Sequence, residues 1–288
     1  MDWGGVGVAI FFFLSGYGND LSIHKVNGVA KWLLKRIVKV LIPFLFSFLY
    51  DNLILFCLNR DEFNFRIFIK NLVTLTMPNT TTWYIKEQLI FYVILFAAFW
   101  LGKLSVRLLK LDLSFLVLII AAGSFLYWAS WRIPQYMWYN TLSFLFGILI
   151  ARNKEIINKI SFQARKTGLI TTSVVLVMLY YEITMNAKDE KVIFCYLVVC
   201  LETVLLVMTC SIKSKLLVAC GKMSIEIYLV HIGLVNTVVA LNPNILGVAF
   251  MVILTFIGAV LVYLGTSFLQ NRIFYKRVGE NEKASYNL

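Results

Sequence analysis

The amino-acid sequence predicts an all-α polytopic membrane protein with about nine transmembrane helices, and three observations carry this prediction. Hydrophobic residues make up 60% of the 288 residues and charged residues only 15%, which is far from the balance of a soluble domain. The mean hydropathy is +0.80. The apolar residues also form stretches of the length that a helix needs to cross a bilayer, about 17 to 25 residues.

Nine such stretches follow one another along the chain, and the first of them is short. We place them at residues 3–18, 38–58, 84–102, 112–130, 134–151, 167–185, 191–211, 224–241 and 245–269. No linker, repeat or low-complexity segment divides them into groups. We therefore expect one membrane domain over residues 1–270 and a short polar tail over residues 271–288.

The charges of the loops indicate the orientation of these helices. When the loops are taken alternately, most of the 27 Lys and Arg side chains lie on one side of the predicted membrane. By the positive-inside rule this side is the cytoplasm, so we expect a multi-pass protein of the plasma (inner) membrane whose C-terminus and polar tail are cytoplasmic. Because membrane insertion accounts for the excess of basic residues, we expect no nucleic-acid partner.

The five cysteines predict neither a disulfide framework nor a metal site. They lie within or beside apolar stretches, and no two of them have the CxxC spacing of a metal or redox motif. Cysteines in such positions usually behave as small apolar residues. We therefore expect no bound metal.

Four sequence blocks stand out within the apolar stretches. They are IFFFLSGYGND at residues 10–20, WLLKRIVKVLIPFL at 32–45, TTWYIKEQLIFYVILF at 81–96 and CGKMSIEIYLVHIGLV at 220–235. The first resembles the Phe-Phe-x-x-Ser-Gly-Phe signature of the membrane acyltransferase-3 family. The others are similar to that family's basic helix with a proline, its Trp-led helix and its Gly-x-x-Ser-x-x-x-Tyr-Leu-x-His pattern. The blocks occur in the family's order and span nearly the whole chain.

This resemblance implies a function. The family transfers an acyl group, commonly acetyl, from cytoplasmic acyl-CoA to a hydroxyl of an extracytoplasmic carbohydrate or lipid-linked glycan. We therefore expect an integral-membrane O-acetyltransferase of bacterial cell-surface carbohydrate, with acetyl-CoA as donor and residues 1–270 as its membrane acyltransferase domain.

The resemblance also implies a difference at the N-terminus. The family has ten helices with both ends in the cytoplasm, and its first helix carries an arginine and a histidine that acts as the base. His24 and His231 are the two histidines of this chain, and neither matches that position. We therefore expect the family histidine upstream of Met1, as in a truncated gene or misassigned start, or else an inactive paralogue. His231 is the candidate for a substitute base.

Six residues are candidates for binding the acyl-CoA donor at the cytoplasmic side: Ser15, Gly16, Tyr17, Lys35, Arg36 and Lys39. The three cations have helical spacing, so they can present one basic face to phosphates. The small Ser-Gly pair allows a thin pantetheine arm to pass beside the helix. The alternatives are ordinary cytoplasmic charge for the cations and helix packing or a C-cap for the glycine.

Trp83, Tyr84 and Glu87 are the candidates for contact with the acceptor. They lie at the outer boundary of their predicted helix, where an extracytoplasmic sugar arrives. Aromatic rings and a carboxylate suit carbohydrate, whereas an interfacial aromatic belt with Lys86 is the alternative interpretation.

A further set of residues is predicted to support the site. Tyr228 and His231 share one helix face, and Ser224 lies about one turn before Tyr228. Glu202 lies near the middle of its predicted helix, where an ionisable group is expensive unless it has a partner. Two partners are open for it, His231 or a buried hydroxyl.

Two other functions remain compatible with the composition. A transporter or flippase of a lipid-linked glycan is also basic and aromatic, although no inverted repeat or broken helix is visible in the sequence. A catalytically inactive relative of the acyltransferases is the second alternative, because no family histidine is found.

Overall fold

The computed structural model describes residues 3–26, 28–58, 64–77, 83–132, 134, 138–185, 189–210, 213–235 and 245–285. Twelve helices account for nearly all of them, and no β-strand occurs in these ranges. The helices are α1 (Trp3–Ile23), α2 (Val29–Leu58), α3 (Phe65–Val73), α4 (Trp83–Leu109), α5 (Ser114–Arg132), α6 (Thr141–Arg152), α7 (Lys154–Asn158), α8 (Phe162–Met185), α9 (Asp189–Thr209), α10 (Lys215–Lys222), α11 (Ser224–Leu234) and α12 (Ile245–Ser285).

Every predicted apolar stretch coincides with at least one of these helices, which confirms the all-α polytopic class. Seven helices are long and apolar enough to cross a membrane. Many of their large apolar side chains are exposed, such as Trp131 at 76% and Val177 at 71%. Such exposure is costly in water and is expected of a surface that faces lipid.

The two remaining stretches differ from the prediction of simple spans. The stretch at 134–151 contains α6, whose 12 residues rise only about 18 Å and therefore do not cross a hydrocarbon core of about 30 Å. The stretch at 224–241 corresponds to α10 and α11, which meet at an angle of 68° and together have the length of one span. Residues 236–244 lie outside the described part of the chain.

The predicted polar tail from residue 271 begins within the last helix of the chain. Helix α12 continues without interruption to Ser285, beyond the apolar part that ends at Ile273. The charged residues of the tail therefore extend a membrane helix. Residues 286–288 are not described.

The chain divides into two compact units, which we describe separately. Unit 1 comprises residues 1–33 and 88–213, and unit 2 comprises residues 34–87 and 214–288. In unit 1, helix α1 packs against α6 through two glycines. A methyl group on Gly16 would overlap the backbone oxygen of Phe144, and one on Gly147 would overlap that of Phe13. This close approach of two backbones is the reason for the small residues.

Unit 2 is organised around α11 and α12. Val230, Leu234, Met251 and Val262 form its buried apolar cluster, against which side chains of α2 pack. The Tyr50 hydroxyl of α2 donates a hydrogen bond of 3.0 Å to the Leu254 backbone oxygen of α12. The three helices are thus joined by apolar packing, and this hydrogen bond links α2 to α12 within the apolar interior.

Candidate functional site

Ser15 of the first sequence block is the centre of a polar group in unit 1. Its oxygen accepts hydrogen bonds from the Asn19 amide at 2.9 Å and from the Gln88 amide at 2.7 Å. Both amide side chains are buried. Because two donors occupy the lone pairs of the Ser15 oxygen, its local role is to join α1 to α4.

The two neighbours of Ser15 in the motif have different surroundings. Gly16 lies against the α6 backbone, which is the packing interpretation of this glycine. Tyr17 instead lines an open cavity of about 200 Å³ in unit 1. The cavity wall is mostly apolar, and Lys154, Asn158 and Thr203 add polar groups to it. Such a cavity has the shape and chemistry for an acyl chain or another thin apolar group.

A buried ion pair lies near the end of the same helix. Asp20 is 2% exposed, and its carboxylate accepts a hydrogen bond of 3.2 Å from the Arg152 guanidinium of α6. His24 lies one turn further along, with its Nε2 atom 3.8 Å from the carboxylate. The sequence analysis missed this pair, because Arg152 is separated from Asp20 by more than 130 residues and resembled an ordinary loop cation.

A second cavity of about 430 Å³ lies beside this ion pair in unit 1. Its charged lining consists of His24, Lys103, Arg107 and Asp112. Phe99 forms part of the wall, and the Lys103 ammonium lies 4.8 Å from the centre of its ring. Two permanent cations facing one carboxylate leave a net positive charge, so the cavity favours anions.

Asp112 is held as a carboxylate by its surroundings in the α4–α5 turn. Partial burial raises the pKa of its carboxyl, but the hydrogen bond from the Ser114 backbone N–H and the electrostatic effects of Arg152 and His24 together lower it by a larger amount. The hydrogen bond from Ser114 is 2.8 Å long. The net result is a pKa below the ordinary value. This side chain begins α5 by accepting from its first turn.

The three cations predicted to bind the donor lie on α2, which begins earlier than predicted. Lys35 and Lys39 are exposed and Arg36 is half-buried. All three belong to unit 2, whereas Ser15, Gly16 and Tyr17 belong to unit 1. The helical spacing expected for a basic face is therefore present.

The residues predicted to contact the acceptor meet a supporting residue in unit 2. The rings of Tyr84 and Tyr228 are in edge contact, with their centres 5.1 Å apart. Tyr84 and Glu87 are buried, Trp83 is half-buried and Lys86 is exposed. The burial of Tyr84 and Glu87 is greater than an interfacial belt requires.

The other supporting residues are distributed over both units. Ser224 is half-buried and His231 is exposed, one turn to either side of Tyr228 on α11. Glu202 accepts a hydrogen bond of 2.7 Å from the Ser173 hydroxyl of α8, so a hydroxyl is its partner, the second of the two open alternatives. It acts in unit 1 as a link between α8 and α9.

Glu226 and Asp51 are two buried carboxyl groups of unit 2 that the sequence analysis did not select. Glu226 accepts a hydrogen bond of 3.2 Å from the Thr266 hydroxyl of α12. Asp51 of α2 is 2% exposed, and neither of its oxygens has a hydrogen-bond partner in the described structure. Both could have been found from the sequence, because each is an acidic residue inside a predicted span.

Within the described ranges, no three His, Cys, Asp or Glu side chains are close enough together to hold a metal ion. None of the five cysteines forms a disulfide within the described residues. The polar groups available for chemistry are therefore hydroxyls, amides, carboxylates and cations.

Comparison with known proteins places the chain in a family. The acyltransferase-3 family model, which describes an acyltransferase domain, matches residues 2–264. Searches of curated proteins and of solved structures gave no match. The match covers all four sequence blocks and most of the chain, so this protein belongs to the membrane acyltransferase-3 family.

Proposed function

We propose that the protein transfers an acetyl group from acetyl-CoA to a hydroxyl of a bacterial cell-surface carbohydrate or lipid-linked glycan. The observation that carries this proposal is the family match over residues 2–264. The distribution of basic residues supports entry of the anionic donor from the cytoplasm and of the acceptor from the opposite side of an inner membrane. The C-terminus is then cytoplasmic.

The reaction needs no redox partner and no metal. The acceptor hydroxyl oxygen attacks the thioester carbonyl carbon, the new ester C–O bond forms, and the C–S bond breaks. CoA leaves as a thiolate, and a general base removes the hydroxyl proton during the attack. His231 is the candidate of this chain for that base, since it lies one turn from Tyr228.

We assign the donor's phosphates to Lys35, Arg36 and Lys39. Arginine binds phosphate through two parallel hydrogen bonds, and flanking lysines add positive charge. In unit 1, the apolar cavity beside Tyr17 suits an acyl group, whereas Ser15 and Gly16 are engaged in helix packing. The cavity with Lys103 and Arg107 is the alternative place for the phosphates.

We assign the acceptor to the aromatic surface of Trp83, Tyr84 and Tyr228, with Glu87 as hydrogen-bond acceptor. Aromatic faces stack on the apolar faces of sugar rings, while a carboxylate accepts from their hydroxyls. The 5.1 Å contact between Tyr84 and Tyr228 supports this assignment, because it fixes the orientation of both rings.

Donor binding tests the phosphate assignment without requiring turnover. Acetyl-CoA binding to the purified full chain is measured by calorimetry for the wild type, Arg36→Ala and Arg107→Ala. Loss of a charge-assisted hydrogen bond is expected to weaken binding of Arg36→Ala roughly 10- to 100-fold. A larger loss of affinity in Arg107→Ala than in Arg36→Ala would instead assign the phosphates to the cavity lined by Lys103 and Arg107.

Turnover in vesicles tests the reaction itself. The protein is reconstituted, acetyl-CoA is supplied on one side, and a panel of methyl hexopyranosides is supplied on the other. Release of free CoA thiol together with acetylated glycoside is the expected result. Movement of glycoside across the membrane without CoA release would identify a transporter, and neither event would identify an inactive relative.

A further inference from the structure

The cavity of about 430 Å³ in unit 1 is a site that the proposed reaction does not require, because the donor's phosphates are assigned to other cations. We call it the basic cavity. Its charged and aromatic lining consists of His24, Phe99, Lys103, Arg107 and Asp112. Arg107 lies in the last turn of α4, one turn after Lys103. The two cations are therefore at the end of a helix that is long and apolar enough to cross a membrane, which is where lipid headgroups lie.

The floor of the basic cavity is held in place by the turn between α4 and α5. A methyl group on Gly102 would overlap the Ser114 side chain, so the two helices are in close contact there. The Ser114 N–H donates a hydrogen bond of 2.8 Å to the Asp112 carboxylate, and the Leu113 N–H donates one of 3.2 Å to the Ser105 hydroxyl. The cavity is thus formed without a ligand, and binding does not have to order this turn.

The charges of the basic cavity suit a ligand with a single negative charge. Neither Lys103 nor Arg107 forms an ion pair with a carboxylate of the described residues. With the Asp112 carboxylate, these two cations leave a net charge of +1 when His24 is neutral. Lysine and arginine bind phosphate through charge-assisted hydrogen bonds, whereas a carboxylate only accepts hydrogen bonds. The matching ligand therefore carries a phosphate diester and a hydroxyl group that donates.

An apolar row of α4 runs beside the two cations. It consists of Trp100, Leu104 and Leu108, which follow one another at four-residue intervals, next to the row that contains Lys103 and Arg107. All three side chains of the apolar row are exposed, as expected of a surface that faces lipid. A ligand with a phosphate in the basic cavity and an apolar chain on this row is a phospholipid.

We propose that the basic cavity binds the headgroup of phosphatidylglycerol, an anionic phospholipid. Its phosphate diester contacts Lys103 and Arg107, its headgroup hydroxyls donate to Asp112, and its acyl chains lie along the apolar row. Basic pockets between helices on the cytoplasmic side are typical sites for anionic headgroups, and the loop charges predict this side for the end of α4. The lipid takes part in no step of acyl transfer, so the site is independent of the proposed reaction.

Lipid binding to matched variants tests the site without any turnover. The full chain is incubated in detergent with dioleoyl phosphatidylglycerol or dioleoyl phosphatidylcholine, and native mass spectrometry measures the bound lipid at each concentration. We expect the wild type to prefer phosphatidylglycerol at least roughly 10-fold and the double variant Lys103→Ala with Arg107→Ala to lose this preference. The control, Arg66→Ala with Lys70→Ala, removes two exposed cations of the same spacing from α3 and should bind as the wild type does.

Two results of this comparison would overturn the inference. One is equal binding of the two lipids by the wild type. The other is a preference for phosphatidylglycerol that survives in the double variant Lys103→Ala with Arg107→Ala.

Two further ligands identify the source and the chemistry of the phosphate. CoA carries phosphates without lipid chains, so it should not displace phosphatidylglycerol from the wild type; displacement would assign the basic cavity to the donor and overturn the lipid site. Phosphatidylmethanol has the same phosphate diester but no headgroup hydroxyl. It should bind the wild type severalfold more weakly than phosphatidylglycerol, and this difference should shrink in Asp112→Asn. Equal binding of these two lipids by the wild type would overturn the role of Asp112.

Discussion

Two buried aspartates, one in each unit, have opposite surroundings. Asp20 in unit 1 and Asp51 in unit 2 are both 2% exposed on apolar helices. The carboxylate of Asp20 is paired with Arg152 at 3.2 Å and lies 3.8 Å from His24. That of Asp51 has no partner in the described structure. The difference separates a carboxylate whose charge is paired within the fold from a buried carboxyl group that packs directly against the backbone of Gly233.

Two serines show the same contrast. The Ser15 oxygen accepts from two buried amides, whereas the Ser47 hydroxyl in unit 2 has no partner among the described residues. Satisfied buried groups are expensive to break, while an unsatisfied group already carries its desolvation cost. Mutations at the satisfied positions should therefore lower the stability of the protein, whereas mutations at the unsatisfied positions should not.

The largest expected effect is on stability, at the satisfied pair. Replacement of Arg152 by Met leaves the Asp20 carboxylate buried without its cation, which typically costs about 3–5 kcal/mol. The midpoint of thermal unfolding in detergent should fall strongly. The control is the double variant Asp20→Asn with Arg152→Met, which should recover part of the loss. A single variant as stable as the wild type would show that the pair contributes nothing.

The second expected effect reverses this pattern. Asp51→Asn keeps the shape of a buried side chain whose oxygens have no hydrogen-bond partner in the described structure, so the stability should change by less than about 1 kcal/mol. Thermal unfolding in detergent measures the difference from the wild type. Destabilisation as large as that of Arg152→Met would mean that Asp51 has a structural partner, and the comparison would fail.

The sequence separation of the interacting residues decides how much of this contrast can be predicted from the sequence. Apolar stretches are local properties, so all nine predicted stretches coincide with helices. The shortness of α6 and the 68° bend between α10 and α11 were missed, because composition does not reveal where an apolar stretch stops being one straight helix. The Asp20–Arg152 pair depends on the packing of α1 against α6, which no local pattern encodes.

The candidate site shows the same limits. The sequence selected Tyr84 and Tyr228 separately, by interfacial position and by family motif, and the fold brings their rings together. Asp51 and Gly233 were not selected, since a single acid and a single glycine carry little information until their helices are packed. Glu202 had two open partners, and only the tertiary structure identifies the Ser173 hydroxyl.

A third expected effect sharpens the comparison by altering the space around Asp51. In Gly233→Ala, the added methyl group overlaps the carboxyl and forces it to move. Overpacking of this kind typically costs about 1–3 kcal/mol. The midpoint of thermal unfolding in detergent should therefore fall. If the double variant Gly233→Ala with Asp51→Ala is no more stable than Gly233→Ala alone, the clash with the carboxyl is not the cause.

The smallest expected effect concerns Asp112, an exposed carboxylate that shares Arg152 with Asp20. The folded protein holds the pKa of Asp112 below its ordinary value of 3.8, so it favours the ionised form. This contribution to stability is fully present above that ordinary pKa and is lost as the pH falls through the lowered pKa of the folded state. Solvent screening keeps it small.

Thermal unfolding between pH 6 and pH 3 measures this contribution, with Asp112→Asn as the variant. The difference in midpoint between the wild type and Asp112→Asn should be small at pH 6 and should shrink further toward pH 3. In the Arg152→Met background the pKa of Asp112 should move up, because one of the cations that lower it is gone. The same pH dependence in both backgrounds would show that Arg152 acts on Asp20 alone, and the charge cluster of unit 1 would reduce to a single ion pair.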